Sequence, residues 1–197
     1  MLNLVCLPAT EPGDTTYGSM PQRTRVLPAA AIHHVHFSTM VWYNAAVRKE
    51  AVKQIRALRI RPVVLVGFSK SGLGAWNIAR THPKLISGTI IFDAPVATEA
   101  LPPWGTTPFY ADDDAWQKDL PIRTVAKFKA AVKNAHSLVL VSGSAFHAEM
   151  AALSGVLAKA GVDHTFLSRP HMKHHWESGW LDEALNALVA IKDVFTI

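Results

Sequence analysis

The sequence predicts an α/β protein with a doubly wound, mostly parallel sheet of about six strands and helices on both faces. Three observations predict it. Short apolar runs without polar alternation, such as Val63-Val64-Leu65-Val66, suit strands buried on both faces. Stretches with helical apolar spacing stand between these runs, so strand and helix alternate along the chain. Finally, 197 residues with 49% hydrophobic and 18% charged content fit a single domain (1–197) with a substantial core.

Taken in order, residues 2–7 read as the first strand. Residues 8–31, punctuated by Pro8, Pro12, Gly13, Gly18, Pro21 and Pro28, read as loop. Residues 32–37 are the second strand. A helix over 41–58 follows, with Val47, Ala51, Ile55 and Leu58 forming its apolar stripe. Residues 63–66 are a buried strand, and 73–80 a helix stopped by His82-Pro83. The next strand spans 87–92. Residues 96–120 carry Trp104, Phe109, Tyr110 and Trp116 among prolines and acids, an aromatic, cap-like excursion without a regular element. A helix over 122–133 and a strand over 138–141 come next. Phe146, Met150, Leu153 and Leu157 mark an amphipathic helix closed by Gly161. Residues 162–167 are a last short strand, and Leu181, Leu185 and Leu188 mark a C-terminal helix.

Composition narrows the function classes. No apolar run approaches the ~20 residues needed to cross a bilayer, and the first residues lack the basic region of a secretion signal. One cysteine permits no internal disulfide framework and fits a reducing, cytoplasmic compartment, with Cys6 as a small core residue. Much of the net charge of +5 sits in Arg48, Lys49, Lys53, Arg56, Arg59 and Arg61. This patch reads as a solvated helix face. It lacks the interleaved aromatics of a single-strand binder, so neither nucleic acid nor membrane is an expected partner. Ten histidines raise a metal site among His33, His34, His36, His171, His174 and His175. Adjacent histidines rarely share one ion, and no cysteine or Glu-x-x-His framework accompanies them, so no metal and no cofactor are expected.

The chemistry is expected at Gly67-Phe68-Ser69-Lys70-Ser71-Gly72, between a buried strand and a helix. A serine flanked two residues away on each side by small residues, in that context, is the nucleophile-elbow pattern. The chain reverses so sharply there that the flanking side chains must be minimal. Such a turn exposes Ser69 Oγ at the carboxyl end of the sheet. It also puts the Lys70 N–H at a helix N-terminus, where it can donate to an oxyanion. The plainer alternative is a strand-to-helix turn with Ser69 or Ser71 as N-cap.

Over about residues 60–190 the chain resembles the α/β-hydrolase fold, in particular its small esterase or dienelactone-hydrolase-like branch. Against that fold, the usual first antiparallel hairpin is missing, as in a trimmed core. The resemblance implies a second oxyanion N–H from the loop after the first strand, with Ala9 or Thr10 as candidates. It implies a catalytic histidine in 169–180, and the match to His-x-aromatic gives His174 with Trp176; His175 and His171 are alternatives. The acid is harder to place. The usual loop, Ser142 to His147, has no carboxylate. Asp93 ends the preceding strand, where catalytic groups gather in open α/β sheets, and some hydrolases of this fold carry the acid there. Glu149, Asp112, Asp113 and Asp114 stand as substitutes. Trp104, Phe109, Tyr110 and Phe68 would line an acyl or alcohol pocket.

The resemblance thus implies a serine hydrolase acting on an ester or related small acyl substrate through Ser69, His174 and Asp93. The competing expectation is a non-catalytic relative of the fold used for binding, kept open by the missing carboxylate. Both leave a homo-oligomer open.

Overall fold

Six strands form one sheet in the computed structural model, which describes residues 2–133 and 136–190. They are β1 (Asn3–Leu7), β2 (Ala31–His34), β3 (Val63–Phe68), β4 (Gly88–Phe92), β5 (Ser137–Val141) and β6 (Thr165–Leu167). Their order is β2-β1-β3-β4-β5-β6, and every pairing is parallel, where the sequence predicts a mostly parallel sheet. The chain runs outward from β1 to β2 and then returns past β1 to β3. Strand order therefore reverses between β1 and β3, the kind of position at which open α/β sheets gather ligands beyond the carboxyl ends of their strands.

Uninterrupted apolar strands are explained by the two layers they face. Val5, Leu7, Val63, Leu65, Ile91, Leu138 and Leu140 point to one layer. That layer contains α1 (Ala45–Ala57), α2 (Lys70–Thr81), α4 (Val125–Val132) and α5 (His147–Lys159). The alternating set Leu4, Cys6, Val64, Val66, Phe68, Ile90, Phe92, Val139 and Val141 packs on α6 (Trp180–Ala190) and on Trp176. Cys6 is fully buried, and burial pushes its thiol up to about 12. On α2, Trp76 stacks on Phe128 of α4 at 4.0 Å and its Nε1 donates to Thr124 Oγ1 at 2.9 Å. These contacts fix α2 against α4.

Several boundaries differ from the sequence reading. The helix expected over 41–58 begins at Ala45, because the Asn44 side chain accepts from Val47 N and caps it; Trp42 and Tyr43 are buried ahead of it. Its inner face is Arg48, Ala51, Val52 and Ile55, while Leu58, at the C-cap, is exposed. Arg48 is therefore not part of a solvated basic face. Its Nη1 donates to Tyr43 O at 2.7 Å and to Asp119 Oδ2 at 2.5 Å. The excursion over 96–120 does contain a regular element, the short helix α3 (Asp113–Gln117), capped by Asp112 and anchored by buried Trp116. Residues 121–133 split into a 3-10 turn, Pro121–Arg123, and α4, with Thr124 between them.

Among the described residues, no helix is long and apolar enough to cross a membrane.

Candidate active site

The site forms where β3, β4 and β5 end side by side. Phe68 pairs with Phe92, so Ser69 and Asp93 are the first residues beyond two adjacent strands. Ser69 N donates to Phe92 O at 3.0 Å, and Asp93 N donates to Val141 O at 2.9 Å. Both residues have positive φ, +51° for Ser69 and +42° for Asp93. Such conformations cost about 1–3 kcal/mol each in a residue other than glycine and concentrate at functional sites.

At Ser69 the crowding expected from the sequence is visible in the neighbours. A Cβ on Gly67 would lie 2.6 Å from Ser71 O and 2.7 Å from Gly72 Cα. One on Gly72 would lie 2.7 Å from both Ala94 Cβ and Ile91 Cγ2. The two serines then divide. Ser71 is fully buried, and its Oγ donates to Phe68 O at 2.8 Å and accepts from Phe68 N at 2.9 Å. Ser69 makes no side-chain cap bond at the start of α2. The small-residue position at +2 is thus a bracket for the turn, and the Ser69 hydroxyl is left out of the local structure.

Asp93 is wholly buried and has the most donors around it. Its Oδ1 accepts from Gly143 N at 2.9 Å and Phe146 N at 2.8 Å. Its Oδ2 accepts from Ala145 N at 3.0 Å and meets His174 Nδ1 at 2.7 Å. Burial pushes this carboxyl up, but the bond from His174 and those from the Ala145 and Phe146 N–H groups outweigh it and hold it below the ordinary aspartate value. The loop after β5, which lacks a carboxylate of its own, instead wraps its N–H groups around the carboxylate at the end of β4. An ionised Asp93 can only accept, so His174 Nδ1 is the donor at this contact and Nε2 is the ring nitrogen left for another partner.

Gly143 is part of this arrangement. A Cβ there would collide with Asp93 Oδ2 and sit 2.6 Å from its Cγ. Gly143→Ala is expected to displace the carboxylate and to cost about 1–3 kcal/mol of stability as an overpacking change. A urea titration beside the exposed-loop control Ser144→Ala checks it, and equal midpoints for the two variants would rule it out.

The lowered Asp93 carboxyl also sets a pH dependence. A depressed acid contributes stability that is present above its unfolded value, about 3.9, and is lost as pH falls through its folded value. Wild type is therefore expected to lose urea resistance below about pH 4 more steeply than Asp93→Asn, measured at several pH values.

The other sequence candidates fall into place around this pair. Trp176 is buried against Phe68, with ring centroids 5.1 Å apart, and its N donates to Tyr17 O at 2.7 Å, which ties down the loop that carries His174. His175 turns to Gly18, which leaves no room for a Cβ beside its ring, and its Nδ1 accepts from Glu177 N. His171 is exposed. Glu149 accepts from Ala97 N at 2.6 Å and Thr98 Oγ1 at 2.7 Å, Asp112 caps α3, and Asp113 accepts from Leu101 N at 2.7 Å. These three acids fasten the excursion.

Lys70 opens α2, and two residues on Gly72 N donates back to Ser69 O at 2.9 Å. Its side chain is buried, with Nζ 5.7 Å from the centre of the Trp42 ring. Burial lowers its ammonium to about 8, against the opposing pull of Glu11 and Asp14. Ala9 and Thr10 begin the loop after β1, whose Leu7 pairs with Gly67, so that loop runs beside the turn at Ser69. Both line a cleft of about 340 Å³ that also borders Trp176.

The four pocket candidates separate. Phe68 is buried beneath His174 at 4.4 Å between ring centres, and Trp104 is exposed with its ring 6.1 Å from Phe146. Tyr110 is buried with its hydroxyl donating to Asp119 Oδ2 at 3.2 Å, and half-buried Phe109 packs on the core. Sequence reasoning missed Tyr17, whose ring stands 5.3 Å from His174, and Phe146 at 5.7 Å. It also missed the Gly143 to Phe146 backbone cradle. The only signal for that cradle was Ser142-Gly143-Ser144 placed directly after a buried strand.

No protein-family model matches the chain, and no curated protein sequence matches it. Solved structures do. Dipeptidyl peptidase 4 of Porphyromonas gingivalis superposes with a TM-score of 0.60 at 11% identity, over 96% of this chain. This chain spans only 31% of that protein's length. A serine hydrolase involved in carbazole degradation, the CarC enzyme, matches with a TM-score of 0.58 at 10% identity, covering 98% of this chain and 92% of that one. Est816, an N-acyl homoserine lactone degrading enzyme, gives 0.54 at 13% identity over 95% and 93%. Identities this low establish the fold alone, and the fold of this chain is the α/β-hydrolase fold.

Proposed function

We propose that the chain is a serine hydrolase that cleaves an ester or related small acyl substrate through an acyl-enzyme. The observation that carries this reading is the four-donor cradle of Asp93. A wholly buried carboxylate directed at one imidazole nitrogen, on a strand end next to a strained serine, has no role in packing that a smaller or apolar residue would not serve better.

In this reading Ser69 Oγ attacks the carbonyl and His174 Nε2 takes its proton. Asp93 holds Nδ1–H and stabilises the imidazolium that forms. The Lys70 N–H and an N–H at Ala9 or Thr10 receive the oxyanion. His174 returns the proton to the departing oxygen. Water, deprotonated by the same nitrogen, then attacks the acyl carbon, the bond to Ser69 Oγ breaks, and His174 returns the proton to Oγ as the acid leaves. The elbow at 67–72 supports the small esterase or dienelactone-hydrolase-like branch as the setting. The binding-protein alternative rested on the lack of a carboxylate after 138–141, and Asp93 supplies one to His174 from the neighbouring strand.

A fluorophosphonate probe with mass mapping tests the proposal. The expected adduct is on Ser69. No adduct on the folded protein, or one on Ser71, would overturn it.

A further inference from the structure

His174 is set among aromatic rings. Phe68 lies 4.4 Å away beneath it, Tyr17 stands edge-on at 5.3 Å, and Phe146 at 5.7 Å. Trp104 extends this group at 6.1 Å from Phe146. Two of these rings are unusually open: Tyr17 is 41% exposed and Trp104 52%. Among the described residues, the other large exposed hydrophobics are Leu58, at the C-cap of α1, and Val189, on α6. The core accounts for Phe68, but it does not account for open aromatic faces on both Tyr17 and Trp104.

Placement beside this imidazole has a chemical meaning. The group that returns a proton to the departing oxygen must lie against the leaving half of the substrate. Rings in contact with His174 are therefore positioned to touch the alcohol that leaves. Planar rings prefer other planar rings edge-on or offset, by more than their shared area accounts for.

We infer that Tyr17, Phe146 and Trp104 form a clamp for an aromatic leaving group, so that the preferred substrates are esters of aryl-bearing alcohols. This rests on the hydrolase reading above. The clamp lies in three separate segments, the loop after β1, the excursion and the N-cap of α5. Tyr17 is tied into place by its own carbonyl, which accepts from Trp176 N. Trp104 is tied by its carbonyl, which accepts from Trp42 Nε1 at 3.1 Å. Both anchors are main-chain, so the two rings can be replaced without loss of the bonds that hold their segments.

The test compares benzyl acetate with cyclohexylmethyl acetate, which share the acyl group and have leaving groups of similar size and basicity but differ in planarity. Wild type is expected to favour the benzyl ester by about ten-fold in kcat/KM. Tyr17→Leu and Trp104→Leu are each expected to lower that ratio to about three or less. A wild-type ratio near one, or ratios unchanged in both variants, would overturn the clamp. The pair ethyl phenylacetate and ethyl cyclohexylacetate checks the acyl side, and an aromatic preference found only there would overturn the leaving-group assignment. If neither acetate is cleaved and Ser69 takes no fluorophosphonate, the hydrolase reading itself has failed. Cleavage of both acetates at equal rates sinks the clamp alone.

Discussion

Ser69→Ala is expected to lower kcat/KM for ester hydrolysis by about 10³-fold or more without changing the fold. The side chain makes no cap bond at the start of α2, so removing its oxygen takes no structural bond away. Alanine also relieves none of the crowding at the turn, which comes from Gly67 and Gly72 and not from residue 69. Ser71→Ala is the matched control and should behave in the opposite way. Its hydroxyl bridges both polar groups of the Phe68 backbone in a fully buried position. Losing that bridge leaves a buried N–H without its partner and costs about 1–3 kcal/mol. Ser71→Ala should thus shift the urea midpoint and keep most of kcat. Activity lost with Ser71→Ala and kept with Ser69→Ala would place the nucleophile at the wrong serine.

How far the sequence could be read depended on whether the determining interaction was local. The elbow was legible because crowding at a sharp turn restricts Gly67, Ser71 and Gly72, which are neighbours in sequence. Strands β1, β3, β4 and β5 were legible because burial on both faces forbids polar alternation. The choice of His174, which meets Asp93, came through Trp176, whose burial anchors the loop and leaves a +2 aromatic in the sequence.

Other features were set by distant partners and left little trace. Arg48 looked like one more surface cation, and only Asp119, 71 residues away, brings it inside. Tyr110 looked like a pocket residue, but the same aspartate draws its hydroxyl inward. The short helix α3 depends on a single Asp112 cap and on Trp116 inserting into the core, which no five-residue periodicity could reveal. Tyr17, in a loop full of turn residues, reaches His174 only because Trp176 hydrogen-bonds to its carbonyl. For Asp93 the sequence offered position at a strand end but not the reason for it. That reason is the cradle from Gly143 to Phe146, 50 and more residues further on.

The cradle also changes what Asp93→Asn should do. As a bare isosteric change it would be expected to leave the fold untouched. With four donors converging on two oxygens, an amide cannot satisfy them all in either orientation. If its NH2 replaced Oδ1, it would face the N–H groups of both Gly143 and Phe146, leaving two buried donors unmatched. If it replaced Oδ2, it would face only the Ala145 N–H, provided His174 turns its Nδ1 into an acceptor. The second orientation strands fewer groups, each of which costs about 1–3 kcal/mol, and is favoured. It moves the imidazole proton to Nε2, the nitrogen that accepts the serine proton in the proposed reaction. Asp93→Asn is therefore expected to lose about 1–3 kcal/mol of stability and to lower kcat by 10²- to 10⁴-fold even where fully folded, because the histidine is in the wrong tautomer. Glu149→Gln and Asp112→Asn, whose carboxylates accept from groups of the excursion, should keep kcat within about two-fold. Circular dichroism and urea titration establish the folded fraction, and steady-state kinetics on a short-chain ester supplies kcat. A folded Asp93→Asn protein with close to full kcat would detach Asp93 from the chemistry. It would leave the carboxylate as no more than the knot that ties the loop after β5 to the end of β4.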